Sequence, residues 1–333
     1  MKAAQIKSYS KEINLNICNI PIPSISDDEV LVKVKAAAVN PLELLILTGS
    51  VRLIQDYKMP LTLGNEFSVI VEETGKNVTD FKIGDKVYAR LPIYKIGAFA
   101  EYVSIESKFL SIMPNNCSFE TAAAIPLTAL TAYQAFTEEL EAKSGQTVLI
   151  TGGSGSFGEL AVPIAKHLGL NIIVSGNERS KDHFINLGVS KYIDYSKENY
   201  WELVSDADYV IDTLGAKEFD RELSVLKKGG RLLSLRTSPN KRFAEDNKFS
   251  FLKKLLFSAA GSKYDKKAMK EGKEYRFMFV RADVEELRKI TKITEEQNIK
   301  PKIFSTVFNL ENANEAVKTM AKGHIEGKII ISL

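Results

Sequence analysis

The stretch that decides the fold runs from Thr147 to Gly158 and reads Thr-Val-Leu-Ile-Thr-Gly-Gly-Ser-Gly-Ser-Phe-Gly. The apolar run 148–150 is typical of a buried parallel strand. Gly153, Gly155 and Gly158 follow with the spacing G-x-G-x-x-G. Apolar residues then recur on one helical face, at positions 157, 160, 161, 164, 165 and 168. Strand, glycine turn and helix together predict a pyrophosphate site, because the start of the helix directs free N–H groups toward bound phosphate.

Each position of this turn has an expected role. Gly153 permits the tight turn, Gly155 lets the backbone approach the phosphates, and Gly158 allows the helix to pack closely on the strand. Ser156 and Phe157 open the helix and belong to the same predicted dinucleotide site. The alternative is a plain glycine turn in any strand–helix–strand unit, and the units that follow favour the dinucleotide interpretation.

Length and composition narrow the class of protein. A chain of 333 residues suggests about two domains. The net charge of +3 calls for neither a nucleic-acid nor a membrane partner. The chain has no apolar signal-peptide core and no membrane-length apolar run, so we expect a cytoplasmic protein without a membrane span. Cys18, Cys117 and the histidines at 167, 183 and 324 lack the spacing of a metal site.

The order of elements indicates an α/β protein with two kinds of domain. Short strands over the first hundred residues, among them 67–72 and 97–103, predict a barrel-like β domain. From residue 147 onward, strands alternate with helices, which predicts a doubly wound parallel sheet. The predicted strands of that sheet are 147–151, 171–175, 191–194, 208–212 and 231–235. A helix over 284–298 and a final strand near the C-terminus complete the prediction.

The basic and apolar segment 241–276 stands apart from the rest of the chain. Lysine and arginine are dense there, and Phe249, Phe251, Leu252, Leu255 and Leu256 are interleaved with them. An amphipathic helix packed on its own protein or on a second subunit is favoured over a helix that lies on a membrane surface. Within this segment we expect residues 249–257 to form a subunit contact or a lid.

The order of several short motifs resembles the medium-chain dehydrogenase/reductase superfamily, and within it the zinc-independent, quinone-oxidoreductase-like enzymes. The motifs, in family order, are Ala-Ala-Val-Asn-Pro (37–41), Leu-Gly-Asn-Glu (63–66), Phe-Lys-Ile-Gly-Asp-Lys-Val-Tyr (81–88), Ala-Glu-Tyr-Val (100–103), the glycine turn and Gly-Lys-Ile-Ile (327–330). The resemblance covers nearly the whole chain. It implies a GroES-like β-barrel catalytic domain over 1–120 and 275–333, and a Rossmann NADP-binding domain over 121–274. Relatives are commonly dimers, so it also implies a homodimer.

The resemblance carries site residues onto this chain and also shows two departures. It implies that Asn40 and Thr131 line the nicotinamide, with Asn40 as the catalytic residue near the acceptor, and that Phe279 and Lys328 approach the cofactor. Zinc-dependent relatives carry cysteine near 39–40 and histidine at 65, where this chain has Val39, Asn40 and Asn65, so no metal site is expected. The family tyrosine that follows Gly49 is Val51 here, which makes Tyr57 a candidate substitute.

Residues after the second strand of the sheet bear on the choice of cofactor. An NAD enzyme usually has a carboxylate at this strand end to bind the ribose 2′-hydroxyl. Asn177 stands there, with Glu178 next to it as the NAD candidate. Arg179 and Lys181 suit the 2′-phosphate of NADP, and Tyr195 matches a family tyrosine near the adenosine phosphate. These residues favour NADPH over NADH.

The combined hypothesis is an NADPH-dependent oxidoreductase. It transfers a hydride to a quinone or an α,β-unsaturated carbonyl without zinc, with the acceptor oxygen met by Asn40 or backbone N–H groups. Two alternatives stay open at this point. One is a zinc-type alcohol dehydrogenase, and the other is a non-catalytic NADPH-binding sensor or structural protein on the same fold.

Overall fold

A computed structural model describes residues 1–323 and 325–333. Over these residues the strands are β1 (Lys2–Ile6), β2 (Asn16–Asn19), β3 (Glu29–Val39), β4 (Leu61–Thr62), β5 (Glu66–Thr74), β6 (Lys86–Arg90), β7 (Tyr102–Glu106), β8 (Ser111–Ile112), β9 (Thr147–Thr151), β10 (Asn171–Gly176), β11 (Lys191–Asp194), β12 (Ala207–Asp212), β13 (Leu226–Ser234), β14 (Glu274–Phe277), β15 (Phe308–Asn309) and β16 (Ile329–Ser332).

The α-helices, over the same residues, are α1 (Pro41–Leu47), α2 (Phe119–Ala123), α3 (Pro126–Gln134), α4 (Ser156–His167), α5 (Lys181–Leu187), α6 (Tyr200–Leu203), α7 (Phe219–Ser224), α8 (Lys241–Asp246), α9 (Phe251–Lys270), α10 (Val284–Glu296) and α11 (Ala313–Lys322). A π-helical turn over Ala135–Glu139 extends α3, and a 3₁₀ turn over Glu178–Ser180 leads into α5. None of these helices is long and apolar enough to cross a membrane.

The chain divides into two compact units. Unit 1 contains Met1–Leu130 and Arg281–Leu333, and unit 2 contains Thr131–Val280. The divisions fall at residues 130 and 280 rather than at the predicted 120 and 274. The first boundary lies at 130 rather than 120 because helix α2 packs against β3 and β5, which are strands of unit 1. Its contacts belong to a small core of Ala36, Ala38, Ala123, Ala124 and Ile330.

Unit 1 contains two β-sheets. One has the strand order β2-β1-β4, and the other has the order β15-β16-β3-β5-β6-β8, with β7 also paired to β3. The last strand of the chain, β16, runs antiparallel to β3 with Ile329 opposite Val39. The C-terminal strand therefore completes a sheet that the first hundred residues begin.

Unit 2 is built on one parallel sheet of order β11-β10-β9-β12-β13-β14. Its central strands β9 and β12 are almost wholly buried, as expected for strands covered on both faces. On α4, the predicted apolar face at Leu160, Ala161, Ile164 and Ala165 is buried. The predicted fold class, a GroES-like β unit combined with a doubly wound parallel sheet, is confirmed.

Candidate functional site

The glycine turn joins the end of β9 to the start of α4, and its glycines have different surroundings. A Cβ atom added at Gly158 would lie 1.7 Å from the carbonyl oxygen of Gly153, so helix and strand approach too closely for any side chain. A Cβ at Gly155 would meet nothing nearer than the Gly152 oxygen at 4.0 Å. Gly152, which the motif does not include, provides the left-handed residue of the turn with φ of +64°. The turn therefore leaves open space at Gly155, the position predicted to approach the phosphates.

Asn177, at the end of β10, is tied to this turn by its own hydrogen bonds. Its backbone N–H and its Nδ2 group donate to Ser154 Oγ at 3.2 and 3.1 Å. Its Oδ1 accepts from Ser180 N at 3.1 Å, and the Tyr192 hydroxyl donates to its carbonyl at 2.6 Å. Asn177 therefore ties the glycine turn to the segment that follows β10. Ser154 and Tyr192 are partners that the sequence motif did not reveal.

The charged groups beyond β10 favour a phosphate over a ribose hydroxyl. Arg179 lies in the exposed 3₁₀ turn, and Lys181 begins α5, also exposed. Glu178, the NAD candidate, is bound by the Lys197 ammonium. Lys197, a residue missed by sequence reasoning, also lies 3.6 Å from Asp194 Oδ2, so two carboxylates compensate its charge. An ionised carboxylate already paired with lysine is a weak acceptor for a ribose, whereas the nearby cations suit a 2′-phosphate.

The remaining predicted cofactor residues of unit 2 are placed separately. Ser156 and Phe157 begin α4, as expected. The Tyr195 side chain directly follows β11 and is 62% exposed, so it is accessible to a ligand. Thr131 is half-buried in α3, and Phe279 is half-buried just after β14. The roles proposed for these residues near the cofactor stay predictions.

Four polar side chains of unit 1 form a buried group, called here the Lys328 cluster: Asn40, Glu66, Thr128 and Lys328. The Lys328 ammonium donates to Asn40 Oδ1 at 2.5 Å and to Thr128 Oγ1 at 2.8 Å. It also lies 3.0 Å from Glu66 Oε1. All four residues are at most 6% exposed. The three N–H donors of the ammonium therefore have three protein acceptors, and a buried charge is fully compensated.

The same cluster occupies the polar groups of Asn40 and Lys328, two residues predicted to lie near the cofactor. Asn40 Nδ2 donates to Glu66 Oε1 at 2.9 Å and toward the Ala38 carbonyl at 3.4 Å, while its Oδ1 accepts from Lys328. Because lysine only donates and an ionised carboxylate only accepts, these partners fix the orientation of the amide. Asn40 thus has no free donor for an acceptor oxygen, and Lys328 has none for a phosphate. In this geometry both side chains hold the cluster together, and the roles predicted for them near the nicotinamide and the cofactor stay predictions.

A second buried pair, Glu43 and Asn65, adjoins the cluster. Glu43, in the first turn of α1, accepts from Asn40 N at 2.5 Å and from Asn65 Nδ2 at 2.6 Å. Burial raises the pKa of the Glu43 carboxyl to about 7, although both hydrogen bonds oppose that rise. Asn65 Oδ1 is buried and has no hydrogen-bond partner. The carboxylate at the start of α1 is therefore held by amides rather than by a cation.

These residues do not fit the zinc ion of the zinc-dependent relatives. Zinc needs about three cysteine, histidine or carboxylate ligands at one point. Across residues 1–323 and 325–333, no three such side chains converge to hold a metal ion. Glu66 is already engaged by Lys328, by Asn40 and by Leu127 N, which donates to Oε2 at 2.7 Å. In this chain the Lys328 ammonium lies 3.0 Å from a carboxylate oxygen of Glu66.

Tyr57, the candidate substitute for the family tyrosine, has an unusual environment. Its side chain is buried and its hydroxyl has no hydrogen-bond partner. Burial raises the pKa of this hydroxyl well above its ordinary value, so it is a donor and not an anion at neutral pH. Val51 is buried as well and offers no polar group. Of these two residues, only Tyr57 carries a polar group, and its role as a substitute for the family tyrosine stays a prediction.

A GroES-like β unit whose sequence is interrupted by a parallel sheet with a dinucleotide turn defines the alcohol-dehydrogenase-like class of proteins. Comparison with known families agrees. Residues 26–115 match the alcohol dehydrogenase GroES-like domain, and residues 187–331 match the zinc-binding dehydrogenase family.

Individual relatives narrow the class. The chain is 33% identical to 2-methylene-furan-3-one reductase of Solanum lycopersicum over 267 residues, covering 77% of this chain and 68% of that protein. It is 34% identical over 248 residues to the NADPH-dependent alkenal/one oxidoreductase, chloroplastic, of Arabidopsis thaliana, covering 71% of this chain and 63% of that protein. The solved quinone oxidoreductase from Coxiella burnetii superposes with a TM-score of 0.84 at 27% identity, over 100% of this chain and 99% of that one. The chain belongs to the medium-chain dehydrogenase/reductase superfamily and to its quinone-oxidoreductase-like branch.

Proposed function

We propose that this protein reduces a quinone or an α,β-unsaturated carbonyl compound with NADPH, and that it does so without a catalytic metal ion. As a member of its family it is an oxidoreductase that uses NADP(H). The metal-free part is supported by the Lys328 cluster and the adjoining Glu43–Asn65 pair, where an ammonium and two amides engage the two buried carboxyl groups. The acceptor class is supported by the relatives whose names describe reduction of enones and alkenals.

Unit 2 has the parts needed to bind the cofactor. The start of α4 offers free N–H groups for a pyrophosphate, and Gly155 leaves space for it. Arg179 and Lys181 are the proposed partners of the 2′-phosphate, with Tyr195 against the adenosine end. Bound NADPH supplies the hydride. This chain binds and orients the two reactants and excludes water from the reacting atoms.

The preference for conjugated acceptors follows from the chemistry. Addition of a hydride at the β-carbon moves negative charge onto the carbonyl oxygen, and a proton from water completes the reduction. A plain ketone has no conjugated position and depends more on a Lewis acid. With an ammonium cluster in place of a metal site, this protein should therefore reduce conjugated acceptors much faster than aliphatic ketones.

The test is a panel of acceptors combined with metal analysis. Oxidation of NADPH is followed with quinones, enones, aldehydes and simple ketones, before and after treatment with a chelator. We expect activity on quinones or enones that the chelator leaves unchanged. Stoichiometric zinc, with activity lost on chelation and restored by zinc, would instead assign an alcohol dehydrogenase. Binding of NADPH with no turnover on any acceptor would favour a sensor or structural protein.

Two broader assignments belong to the same proposal. We take unit 1 as the catalytic unit and unit 2 as the NADP-binding unit of a homodimer.

A further inference from the structure

Arg90 is a buried cation that neither the sequence motifs nor the proposed mechanism accounts for. It ends β6 and stands directly opposite Glu66 of β5 in the sheet register. Only 1% of the residue is exposed. Directly opposed residues on neighbouring strands project on the same face of the sheet. Arg90 therefore lies in the same layer of unit 1 as the Lys328 cluster.

The guanidinium lacks most of the partners that a buried arginine needs. Nη1 donates to the Leu91 carbonyl, but Nε and Nη2 are buried without a hydrogen-bond partner. Arg90 forms no ion pair with any residue that the structure describes, because Glu66 and Glu43 are held by the groups named above. Burial lowers the pKa of Arg90 to about 10, which still leaves it charged at neutral pH. Glu66 and Glu43 act on Arg90 through their charge, but neither binds it directly. Nε and Nη2 are therefore buried donors without an acceptor, which is costly, and the arrangement indicates a missing acceptor group.

The identity of the two unpaired atoms indicates the chemistry of that partner. Nε–H and one N–H of Nη2 point in the same direction and form one edge of the guanidinium, which matches the two oxygens of a carboxylate. The same chain shows this pairing on its surface. Arg52 donates from Nε and Nη2 to the two oxygens of Asp56 at 3.1 and 3.3 Å. Arg90 presents the same edge with no carboxylate on it.

Tyr57 supplies a second unpaired donor within the influence of Arg90. Its buried hydroxyl has no partner, and the charge of Arg90 acts on it against the effect of burial on its pKa. The backbone of Tyr57 is held in place, since its N–H donates to the Tyr9 hydroxyl at 2.8 Å. Tyr57 and Arg90 both carry buried donors that have no acceptor, so together they offer more donors to an anionic group than Arg90 alone.

We propose that the Nε–Nη2 edge of Arg90, assisted by the Tyr57 hydroxyl, binds a carboxylate group of the acceptor. The preferred substrates are then conjugated carbonyl compounds that also carry a carboxylate. This inference rests on the proposed reductase function and specifies its substrate class.

The test compares an acid with its own ester. (E)-4-oxopent-2-enoate and its methyl ester share the same conjugated ketone, so only the carboxylate differs. We expect wild-type kcat/KM to favour the acid. In Arg90→Met the acid-to-ester ratio should fall by roughly tenfold to a hundredfold, the worth of one charged bidentate contact. The loss should fall mainly in KM, since the contact is made before the chemical step.

Controls separate this role from a structural one. Arg288→Met removes an exposed arginine of the same unit and should leave the acid-to-ester ratio unchanged. Arg90→Lys keeps the charge but removes the paired edge, and should recover only part of the preference. Arg90→Met should melt no lower than wild type, because it removes two buried donors that have no acceptor.

Binding without turnover distinguishes failure of this inference from failure of the proposed function. Titration calorimetry with the saturated analogue 4-oxopentanoate, in the presence of NADP⁺, reports on the carboxylate site alone. Binding of 4-oxopentanoate that depends on Arg90, with no reduction of any acceptor, would support the carboxylate site and contradict the proposed reductase function. Equal reduction of acid and ester, with Arg90→Met lowering both alike or neither, would keep the reductase and overturn the carboxylate site.

Discussion

Gly155 and Gly158 belong to one turn but differ in what a side chain would meet there. Gly155 faces open space, whereas Gly158 lies against the Gly153 carbonyl. We predict that Gly155→Val folds normally but loses most of its affinity for NADPH, because the added bulk fills the space in which the phosphates approach the backbone. Melting temperature and fluorescence titration of NADPH check both halves of this prediction.

Gly158→Ala is the matched comparison for that variant. Its Cβ would overlap the Gly153 oxygen, so helix α4 must move and the loss of stability should be several kcal/mol, within the upper range of single substitutions. A folded Gly155→Val protein that binds NADPH as wild type does would remove Gly155 from the binding site. A Gly158→Ala protein with unchanged stability would contradict the packing role of Gly158.

Arg179 carries the prediction on cofactor choice. Its contact with a 2′-phosphate is worth about 1.5–3 kcal/mol as a charged hydrogen bond. Arg179→Ala should therefore weaken NADPH binding roughly tenfold to a hundredfold and leave NADH nearly unchanged. Lys217→Ala, an exposed lysine elsewhere in unit 2, is the control and should change neither affinity. Equal weakening of NADPH and NADH by Arg179→Ala would show that the residue does not read the phosphate.

At the scale of single residues, sequence reasoning found the parts whose role is local. Gly153, Gly155 and Gly158 follow one another in the chain, so their spacing alone predicted the turn. Asn40 and Lys328 were singled out from the resemblance, but the contact between them joins distant parts of the chain. Such a contact determines which hydrogen-bond donors of the two side chains have partners. A local sequence pattern does not predict it. Arg90 was missed for the same reason. Its Nε and Nη2 groups have no acceptor because the neighbouring carboxyl groups accept hydrogen bonds from other residues.

Among the secondary-structure elements, those with a strong local pattern were predicted best. Strands β9 and β11 have the predicted bounds, 147–151 and 191–194. The predicted strand 97–103 is wrong over 97–101, since the strand β7 covers Tyr102–Glu106. There the N–H groups of Gly97 and Ala98 both donate to the Gly64 carbonyl, and Gly97 has φ of +147°. A long-range backbone contact bends the segment, which an alternating sequence pattern cannot show.

Helix α7 places a buried carboxyl, Glu222, against the ends of β9 and β12. Its Oε1 accepts from Thr151 Oγ1 at 2.6 Å, and its Oε2 has no partner. Burial, and then the nearby charge of Asp212, raise the pKa of Glu222 to about 9. The folded state thus holds a proton that the unfolded chain loses above pH 4.5, so this group's contribution to stability falls as pH rises from about 4.5 to about 9.

Glu222→Gln should remove that pH dependence. The amide resembles the protonated acid and keeps the acceptor for Thr151, so stability at pH 6 should change little. The variant should lack the slope of up to about 1.4 kcal/mol per pH unit that one such group gives. Urea unfolding at several pH values measures it, with the exposed Glu198→Gln as control. Parallel pH profiles of wild type and Glu222→Gln would show that Glu222 is ionised in the folded protein at neutral pH.

On the scale of the whole molecule, the alternation of strands and helices predicted the kind of each unit but not where the units divide. The family order of motifs implied that the C-terminal segment returns to the first unit, and β16 pairs with β3 there. The division inside α3 was not foreseen, because it depends on which sheet the alanine-rich helices pack against. Hydrophobic pattern alone does not distinguish between two available cores.

The exposed apolar residues at the start of α9 support the proposed homodimer. Phe251 and Leu252 are 78% and 67% exposed, and Leu255 and Leu256 extend the same apolar surface. Exposed apolar surface of this kind often marks an interface. In a two-fold symmetric dimer this surface would meet its own copy, so Lys253 and Lys254 would lie near the same lysines of the partner subunit. Like charges repel at low salt and are screened at higher salt, so the dimer should become tighter as ionic strength increases.

We therefore predict a dimer by light scattering at micromolar concentration, with a dissociation constant that falls between about 0.02 and 0.3 M salt, where the screening length shortens. The double variant Phe251→Ser with Leu252→Ser should be a folded monomer, because both side chains are already exposed in a single chain and contribute little to its core. Met269→Ser, also exposed but at the far end of α9, should leave the dimer intact. A wild-type monomer would reject the dimer itself. If the double variant stays dimeric, the interface lies elsewhere on the surface. If the dimer weakens with added salt, ion pairs rather than this apolar surface stabilise it.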